Sequence, residues 1–361
     1  MPVTAAARVH LISPNTLSSD LIDVWQSHRA TDENLRGPFF SPEYVRIAAS
    51  VRPEVTIAVI ETPGQAPAFL PLHRDASIAR PVGLRASDFS GIITAPGYEW
   101  SPESVLRSCG LSGWDFTNIV VSDPTMRPHF RAFADSPFAD LSEGFEAFCK
   151  ERSQSGSDLV KSVAQKARKM EREVAPMRFE AHVVDRQALA LLYEWKAAQR
   201  ARTGTVDVLS TPWMRAMVER MLATSTDAFG GLLSVLYAGD QVAAVHFGMR
   251  SETVWHYWFA AYNHELQRYS PGLIILLEML KAAPELGIRT LTLGQGDEAY
   301  KLRYATGSTQ LASGSVDCRL TRRLTNAVWY AARTASHHSS VVAALVRSVK
   351  RGRRRMFQGA Q

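Results

Sequence analysis

Cysteine is scarce in this chain of 361 residues: Cys109, Cys149 and Cys318 are far apart, odd in number and contain no Cys-x-x-Cys pair. A disulfide framework and a thiolate zinc site are therefore excluded, no metal is expected, and a reducing cytoplasm is the expected compartment. Long apolar runs are lacking too. No stretch of about 18 uninterrupted apolar residues occurs, and Met1-Pro2-Val3-Thr4-Ala5 lacks the basic-then-apolar order of a secretory leader, so neither a span nor export is expected. Repeats and low-complexity segments are missing, and the first half has no Gly-rich phosphate loop. Acidic residues are absent from residues 318–361, which carry ten Arg or Lys; the net charge of +6 is therefore +10 there and −4 over residues 1–317. An anionic partner is expected for that tail alone, and nucleic acid is disfavoured for the acidic body, which has no reading motif.

What is present is 46% hydrophobic residues over a length that accommodates two ordinary domains. The first half alternates helix and strand patterns. Leu21, Val24 and Trp25 mark a helix, Ser41-Pro42-Glu43 opens another, and Val55 to Ile60 with Ala68 to Leu72 around Thr62-Pro63-Gly64-Gln65 form a hairpin. Further strands are expected at Ile92-Ile93 and Asn118 to Val121. Residues 150–173 read as one basic linking helix with Leu159, Val163, Ala167 and Met170 on one side and its charges solvated. The fold class expected from this alternation is α/β.

The most informative stretch is 231–306. Leu232 to Tyr237, the turn Ala238-Gly239-Asp240-Gln241 and Val242 to Met249 predict a hairpin, and the aromatic run Trp255 to Phe259 predicts the next strand. Ser270-Pro271-Gly272 then opens an apolar helix. Ser is a good N-cap, Pro has its φ preset, and Gly lets a ligand approach the free N–H groups, so Gln267, Arg268, Ser270, Pro271 and Gly272 form a candidate pyrophosphate loop. The bland alternative is a well-capped helix.

This order of hairpin, strand, loop, helix, strand and short Tyr-bearing helix resembles the GNAT superfamily of acyl-CoA N-acyltransferases. More narrowly, the chain is similar to the acetyltransferase group of cellulose and exopolysaccharide biosynthesis. That similarity is carried by Phe69-Leu70-Pro71-Leu72, Ser87-Asp88-Phe89, Gly239 to Ala244, Tyr269-Ser270-Pro271-Gly272 and Leu293 to Lys301. It implies two GNAT-like domains in tandem, a degenerate one at 1–149 and a catalytic one at 150–317, followed by a basic amphipathic helical tail at 318–361. It also implies acetyl-CoA as co-substrate and an amino sugar or polysaccharide precursor as acceptor. Fem-like aminoacyl transfer to a cell-wall precursor is the alternative within enzymes. A non-catalytic protein whose tail senses lipid or cyclic di-GMP is the alternative outside them.

Acyl transfer to an amine needs a base, a polarised carbonyl and a proton for the thiolate. By the resemblance Tyr300 stands where GNAT enzymes often place the acid, although a tyrosine packed on the core answers its pattern too. His256 is a candidate base on the central strand or a satisfied core histidine, and His246, in the preceding strand, is a weaker candidate for substrate contact. Asp297 and Glu298 either stabilise a first helical turn or serve as base. Lys301 is expected to meet a phosphate of donor or acceptor, and Asp207 either meets substrate or forms its turn. In the tail, Leu320, Leu324 and Val328, then Val341, Val342, Leu345, Val346 and Val349, recur at helical spacing beside the Arg cluster. An anionic surface at the inner face of the cell membrane is the expected partner; packing on the body and an anionic nucleotide are the alternatives.

Overall fold

Apolar residues at alternate positions need cover on one face of a strand, and runs apolar throughout need cover on both. The computed structural model, which describes residues 7–296 and 298–326, meets both needs with one mixed sheet. Its strands are β1 (Arg8–Ile12), β2 (Val55–Glu61), β3 (Ala68–Asp75), β4 (Ile78–Arg80), β5 (Gly113–Val120), β6 (Phe130–Asp140), β7 (Met177–Glu180), β8 (Gly230–Ala238), β9 (Gln241–Arg250), β10 (Val254–Tyr262), β11 (Thr290–Thr292) and β12 (Gly307–Asp317). They lie side by side in the order β1-β2-β3-β4-β5-β12-β6-β11-β10-β9-β8-β7, with β4–β5 and β10–β11 the parallel pairs. The helices are α1 (Ser19–Thr31), α2 (Pro42–Val51), α3 (Pro102–Ser108), α4 (Gly144–Gln154), α5 (Leu159–Glu173), α6 (Arg186–Thr203), α7 (Pro212–Leu222), α8 (Pro271–Ala282) and α9 (Ala299–Tyr304).

The two expected hairpins form as β2–β3 and β8–β9. Several details differ. The single helix expected over 150–173 is two, α4 and α5, because the polar run Ser153 to Ser157 contains Gly156 at φ 80°, a left-handed conformation that an α-helix cannot continue through. Ile92-Ile93 makes only an isolated bridge to Phe69. A cut at 149/150 divides the chain but not the sheet: β6 is bonded to β11 and β12, and β12 lies between β5 and β6. A shared core crosses the same line, with Trp25, Ile57 and Phe69 packed in one cluster with Leu192, Phe247 and Phe259. On the opposite face α5 and α8 cover Leu236, Trp255 and Leu291.

The feature that positions the site is a bulge in β10. Its register against β9 slips between Tyr257 and Phe259, so Trp258 has no partner residue in the ladder. The N–H of Trp258 is instead accepted by Nε2 of His246 at 3.2 Å, and its indole N–H by the carbonyl of Ala86 at 3.0 Å. An unpaired buried N–H costs about 1–3 kcal/mol, so the bulge persists because a histidine faces it. Gly248 makes the room: a side chain there would strike the carbonyl of His256 and stand 2.6 Å from His246 Cε1.

His246 is wholly buried and stacked on Tyr257 at 4.5 Å between centroids. Burial holds its pKa well below the ordinary 6.5, with the charges of His256 and Lys196 acting in the same direction. Neutral in the fold and basic when unfolded, it leaves stability intact above pH 6.5 and withdraws it as pH falls below that value. In His246→Phe, stability at neutral pH should fall by about 1–3 kcal/mol, and the acid sensitivity below pH 6.5 should flatten. Urea unfolding at pH 5 and pH 7.5 measures both; a variant with unchanged stability and unchanged pH dependence would show that the bulge does not rest on this imidazole.

Candidate functional site

The bulge coincides with the place where β10 loses its other neighbour. Pairing of β10 with β11 ends at His256 opposite Thr292, after which Leu293 N–H turns to the carbonyl of Pro137 on β6 at 2.9 Å. Beyond His256 this edge of β10 has no strand partner among the described residues. Trp255 and Tyr257 face the α5–α8 layer, whereas His256, Trp258 and Phe259 face the other.

On the α8 side the loop 264–269 is a 3-10 helix whose last residue leads into Ser270 at φ 57°, ψ 54°. The expected Ser N-cap therefore does not form. The left-handed backbone turns the hydroxyl away from the helix, so α8 starts without a side-chain cap and the first-turn N–H of Gly272 is given no side-chain acceptor by Ser270. The hydroxyl accepts instead from Lys166 Nζ at 2.8 Å. Helix dipole, free N–H and a lysine thus converge on one point, which suits a phosphate. At Gly272 a Cβ would stand 3.3 Å from the ring of Tyr262, a tight contact that this exposed side chain would have to shift to relieve. Arg268 lies over the ring of Tyr269 and pairs with Glu173 at 3.5 Å, so part of its charge is already spent. Gln267 contributes its carbonyl, which accepts from Ser270 N–H at 3.0 Å.

At the far end of β11, Gly294 at φ 70° begins a loop that α9 closes. Lys301 is buried, its Nζ donating to the carbonyl of Gln295 at 2.9 Å and pairing with exposed Glu298 at 3.1 Å. Its charge holds the loop. Tyr300 is half-buried against the α8 core, and burial together with Glu298 pushes its pKa up to about 12, so it keeps its proton throughout the neutral range. Asp207 caps the short helix 208–210 by accepting from Leu209 N–H at 3.1 Å. Asp297 lies outside the described residues.

His256 is completely buried, its Nε2 3.0 Å from Asp88 Oδ2 and its Nδ1 2.8 Å from Thr292 Oγ1. Phe39 and Phe89 present ring edges to it at 4.9 and 5.9 Å. A cavity of about 340 Å³ opens beside it, between the N-terminal segment around 33–40 and strands β6, β10, β11 and β12.

Four residues here escaped sequence reasoning. Lys166 and Lys196 were visible in principle, because each falls on the apolar stripe of its helix: Leu159, Val163, Lys166, Met170 on α5 and Leu189, Leu192, Lys196 on α6. A charge in such a stripe is a signal. Thr292 carries none, and Asp88 stands in the motif Ser87-Asp88-Phe89 without a role to be read there, since only the fold brings it across 168 positions to His256. Lys196 Nζ donates to the carbonyl of Ala260 just past the bulge, at 2.9 Å. Burial lowers its pKa to about 8, and Arg200 lowers it further while Asp207 acts the other way.

Residues 157–302 match the family described as "Acetyltransferase (GNAT) domain". No curated protein matches the chain. Among solved structures it is similar to the C-terminal domain of a putative lysylphosphatidylglycerol synthetase from Agrobacterium fabrum, at 12% identity and TM-score 0.52 over 85% of this chain and 94% of that one. It is also similar to L-PGS from Bacillus licheniformis, at 10% identity and TM-score 0.53 over 87% and 96%. FemX is similar at 10% identity and TM-score 0.52 over 82% and 97%. At such identities the likeness is one of fold. The mixed α/β chain thus contains a GNAT-like domain, in which β10 and β11 pair only as far as His256 and Thr292.

The buried lysine gives a test free of any substrate. With a folded pKa near 8 and an ordinary value of 10.5, Lys196 is neutral in the fold while still protonated in the unfolded chain between those values. Stability relative to Lys196→Met should therefore rise as pH is taken from 8 to 10. Parallel denaturation curves for the two proteins over that interval would show instead that Lys196 titrates as a surface lysine.

Proposed function

We propose that this chain is an acyl-CoA-dependent N-acyltransferase that transfers an acyl group, acetyl in the simplest case, to the amine of an amino sugar or polysaccharide precursor. The observation that carries the donor side is the start of α8, where Gly272 N–H, the helix dipole and Lys166 converge beside the unpaired edge of β10. A pyrophosphate is satisfied there by charge-assisted hydrogen bonds. The acyl arm then runs toward the open edge of β10, whose backbone groups polarise a carbonyl. Tyr300, protonated at neutral pH, supplies a proton to the departing thiolate. The choice of amino sugar, and with it exopolysaccharide or cell-surface adhesin synthesis, rests on the resemblance carried by Gly239 to Ala244, Tyr269 to Gly272 and Leu293 to Lys301.

Aminoacyl transfer of the Fem type is the second reading, favoured by the likeness in fold to FemX. Both readings use an amine acceptor and differ in the donor. Acetyl-CoA titrated calorimetrically into the protein separates them: binding is expected, and Lys166→Glu should weaken it by roughly 10- to 100-fold by exchanging an attractive partner for a repulsive one. No heat from the wild-type protein, or equal affinity in a folded Lys166→Glu variant, removes acetyl-CoA as the donor bound there.

For the tail we propose an anionic membrane surface as partner, at the inner face of the cell membrane, with cyclic di-GMP as a competing ligand. Within the described residues a helix runs over 320–326, tied down by Arg322 to Asp115 and Asp317. Leu320 and Leu324 are 77% and 67% exposed, so these two residues are not covered by the body. The expected stripe from Val328 onward lies outside the described residues. Removing 327–361 leaves the Arg322 anchor in place and should shift the protein from the pellet to the supernatant in co-sedimentation with phosphatidylserine vesicles. Full-length protein should dissociate as salt is raised, since each basic residue contributes roughly 1 kcal/mol that salt screens. Equal pelleting of the two forms would rule the tail out as the anchor.

A further inference from the structure

The cavity beside His256 lies on the sheet face opposite α8, so it is not part of the donor cradle. Its lining is polar and aromatic and carries charges of both signs, Glu33 and Asp140 against Arg36 and Arg289, which does not suit a lipid chain. Hydroxyls and amides of Asn34, Thr290 and Thr309 alternate with the rings of Phe89 and Phe138, a combination that bonds to sugar hydroxyls while stacking on the apolar faces of a pyranose. Arg36, at its rim, is balanced by Glu33 at 3.4 Å. About 340 Å³ accommodates one or two sugar rings.

At the inner end of the cavity stand Thr292 and His256, with Asp88 behind them. A carboxylate only accepts, so His256 Nε2 carries a proton and donates it to Asp88; in the tautomer protonated at Nε2 alone, Nδ1 accepts from the Thr292 hydroxyl. The orientation is enforced from both sides. A side chain at Gly294 would stand 2.7 Å from Asp88 Oδ2, and Phe39 and Phe89 fix the ring edge-on. The pair His256–Thr292 is also the last rung before β10 and β11 part, so the array borders both the cavity and the open edge.

We infer that this cavity is the acceptor site for an amino sugar and that Thr292, His256 and Asp88 form a relay that removes the proton from the attacking nitrogen; the inference rests on the acyltransferase reading above. As the nitrogen bonds to the thioester carbon and the C–S bond breaks, the nitrogen gives a proton to Thr292 Oγ1, which passes its own to His256 Nδ1. The imidazolium is stabilised by Asp88, the thiolate leaves as a thiol with the proton of Tyr300, and solvent restores both groups. Amine and thioester become amide and thiol, with no other reactant. Thr292 and His256 are catalytic residues on this account, and Asp88 is a positioning residue.

The β-1,4-linked disaccharide of glucosamine is the probe, with acetyl-CoA as donor. Saturation-transfer NMR on the full chain should show the disaccharide bound, and Thr309→Phe, which fills the cavity without touching the relay, should abolish that signal while acetyl-CoA still binds by calorimetry. Thiol release should fall roughly 100-fold or more in kcat for Thr292→Val and Asp88→Asn, with both ligands still bound and Thr292→Ser restoring most of it. A protein that binds acetyl-CoA but gives no saturation transfer to the disaccharide, or gives the same signal in Thr309→Phe, overturns the pocket and leaves the donor reading standing. Binding of the disaccharide without acetyl-CoA does the reverse. Undiminished turnover in Thr292→Val, or a Thr292→Ser variant as slow as Thr292→Val, overturns the relay.

Discussion

One backbone N–H, that of Trp258, sets the geometry of the second half of the chain. The slip in β10 removes it from the ladder, and His246 takes it. Without an acceptor the slip would cost about 1–3 kcal/mol, comparable with a regular rung, and the strand would straighten. Straightened, β10 would continue alongside the chain that follows β11, and the edge beyond His256 would be closed. The bulge also turns Trp258 to the same face as Phe259, where its indole reaches Ala86 in the first half. The same irregularity therefore lies where the strand edge opens and ties the two halves together.

Charge placement follows a consistent logic around that opening. Taking a lysine out of water lowers its pKa and costs stability, so lysines are ordinarily kept out of apolar stripes. Two stripes here admit one each, and both lysines reach the neighbourhood of β10 and α8: Lys166 to Ser270, Lys196 to Ala260. Lys301 is buried as well but is compensated by Glu298 and a carbonyl, which marks it as a fastener for the Gly294–Gly296 loop. Partnered burial is cheap and structural. Lys196 is held by a single carbonyl, and burial lowers its pKa to about 8.

Much of the fold was legible because local pattern dictates it. Tight turns with alternating flanks gave both hairpins, and Ser-Pro starts gave α2 and α8. The strands β6 and β12 were illegible for a physical reason: β6 contains Pro137, Asp135 and Arg131, and β12 is short of large apolar residues, since both are read by their neighbours in the sheet rather than by their own composition. Ser270 shows the limit of cap chemistry, which assumes an extended cap residue; the preceding 3-10 turn delivers it left-handed and reverses what its hydroxyl can reach. The pair of strand histidines shows another. Alternation placed both on buried faces, but only the register slip tells that His246 serves the backbone while His256 meets Asp88 and Thr292.

The direction of β10 also divides the proposed chemistry between two sides of one sheet. Tyr257 and Tyr300 lie with α8, where the donor cradle is, and His256 lies with the cavity. A nitrogen approaching from the cavity and a thiolate leaving toward α8 meet at the same unpaired edge from its two sides, which suits addition to the face of a carbonyl and loss of the thiolate from the tetrahedral intermediate. Groups that take up and release protons are then kept on separate faces, with the core between them dry. Tyr300 holds its proton because the phenol is enclosed by apolar neighbours beside Glu298, while the imidazole of His256 is spanned by a hydroxyl and a carboxylate. Since Asp88 belongs to the first half and Thr292 to the second, the relay exists only when the shared core holds both halves in register. The continuous sheet is thus a condition of the chemistry and not merely its scaffold.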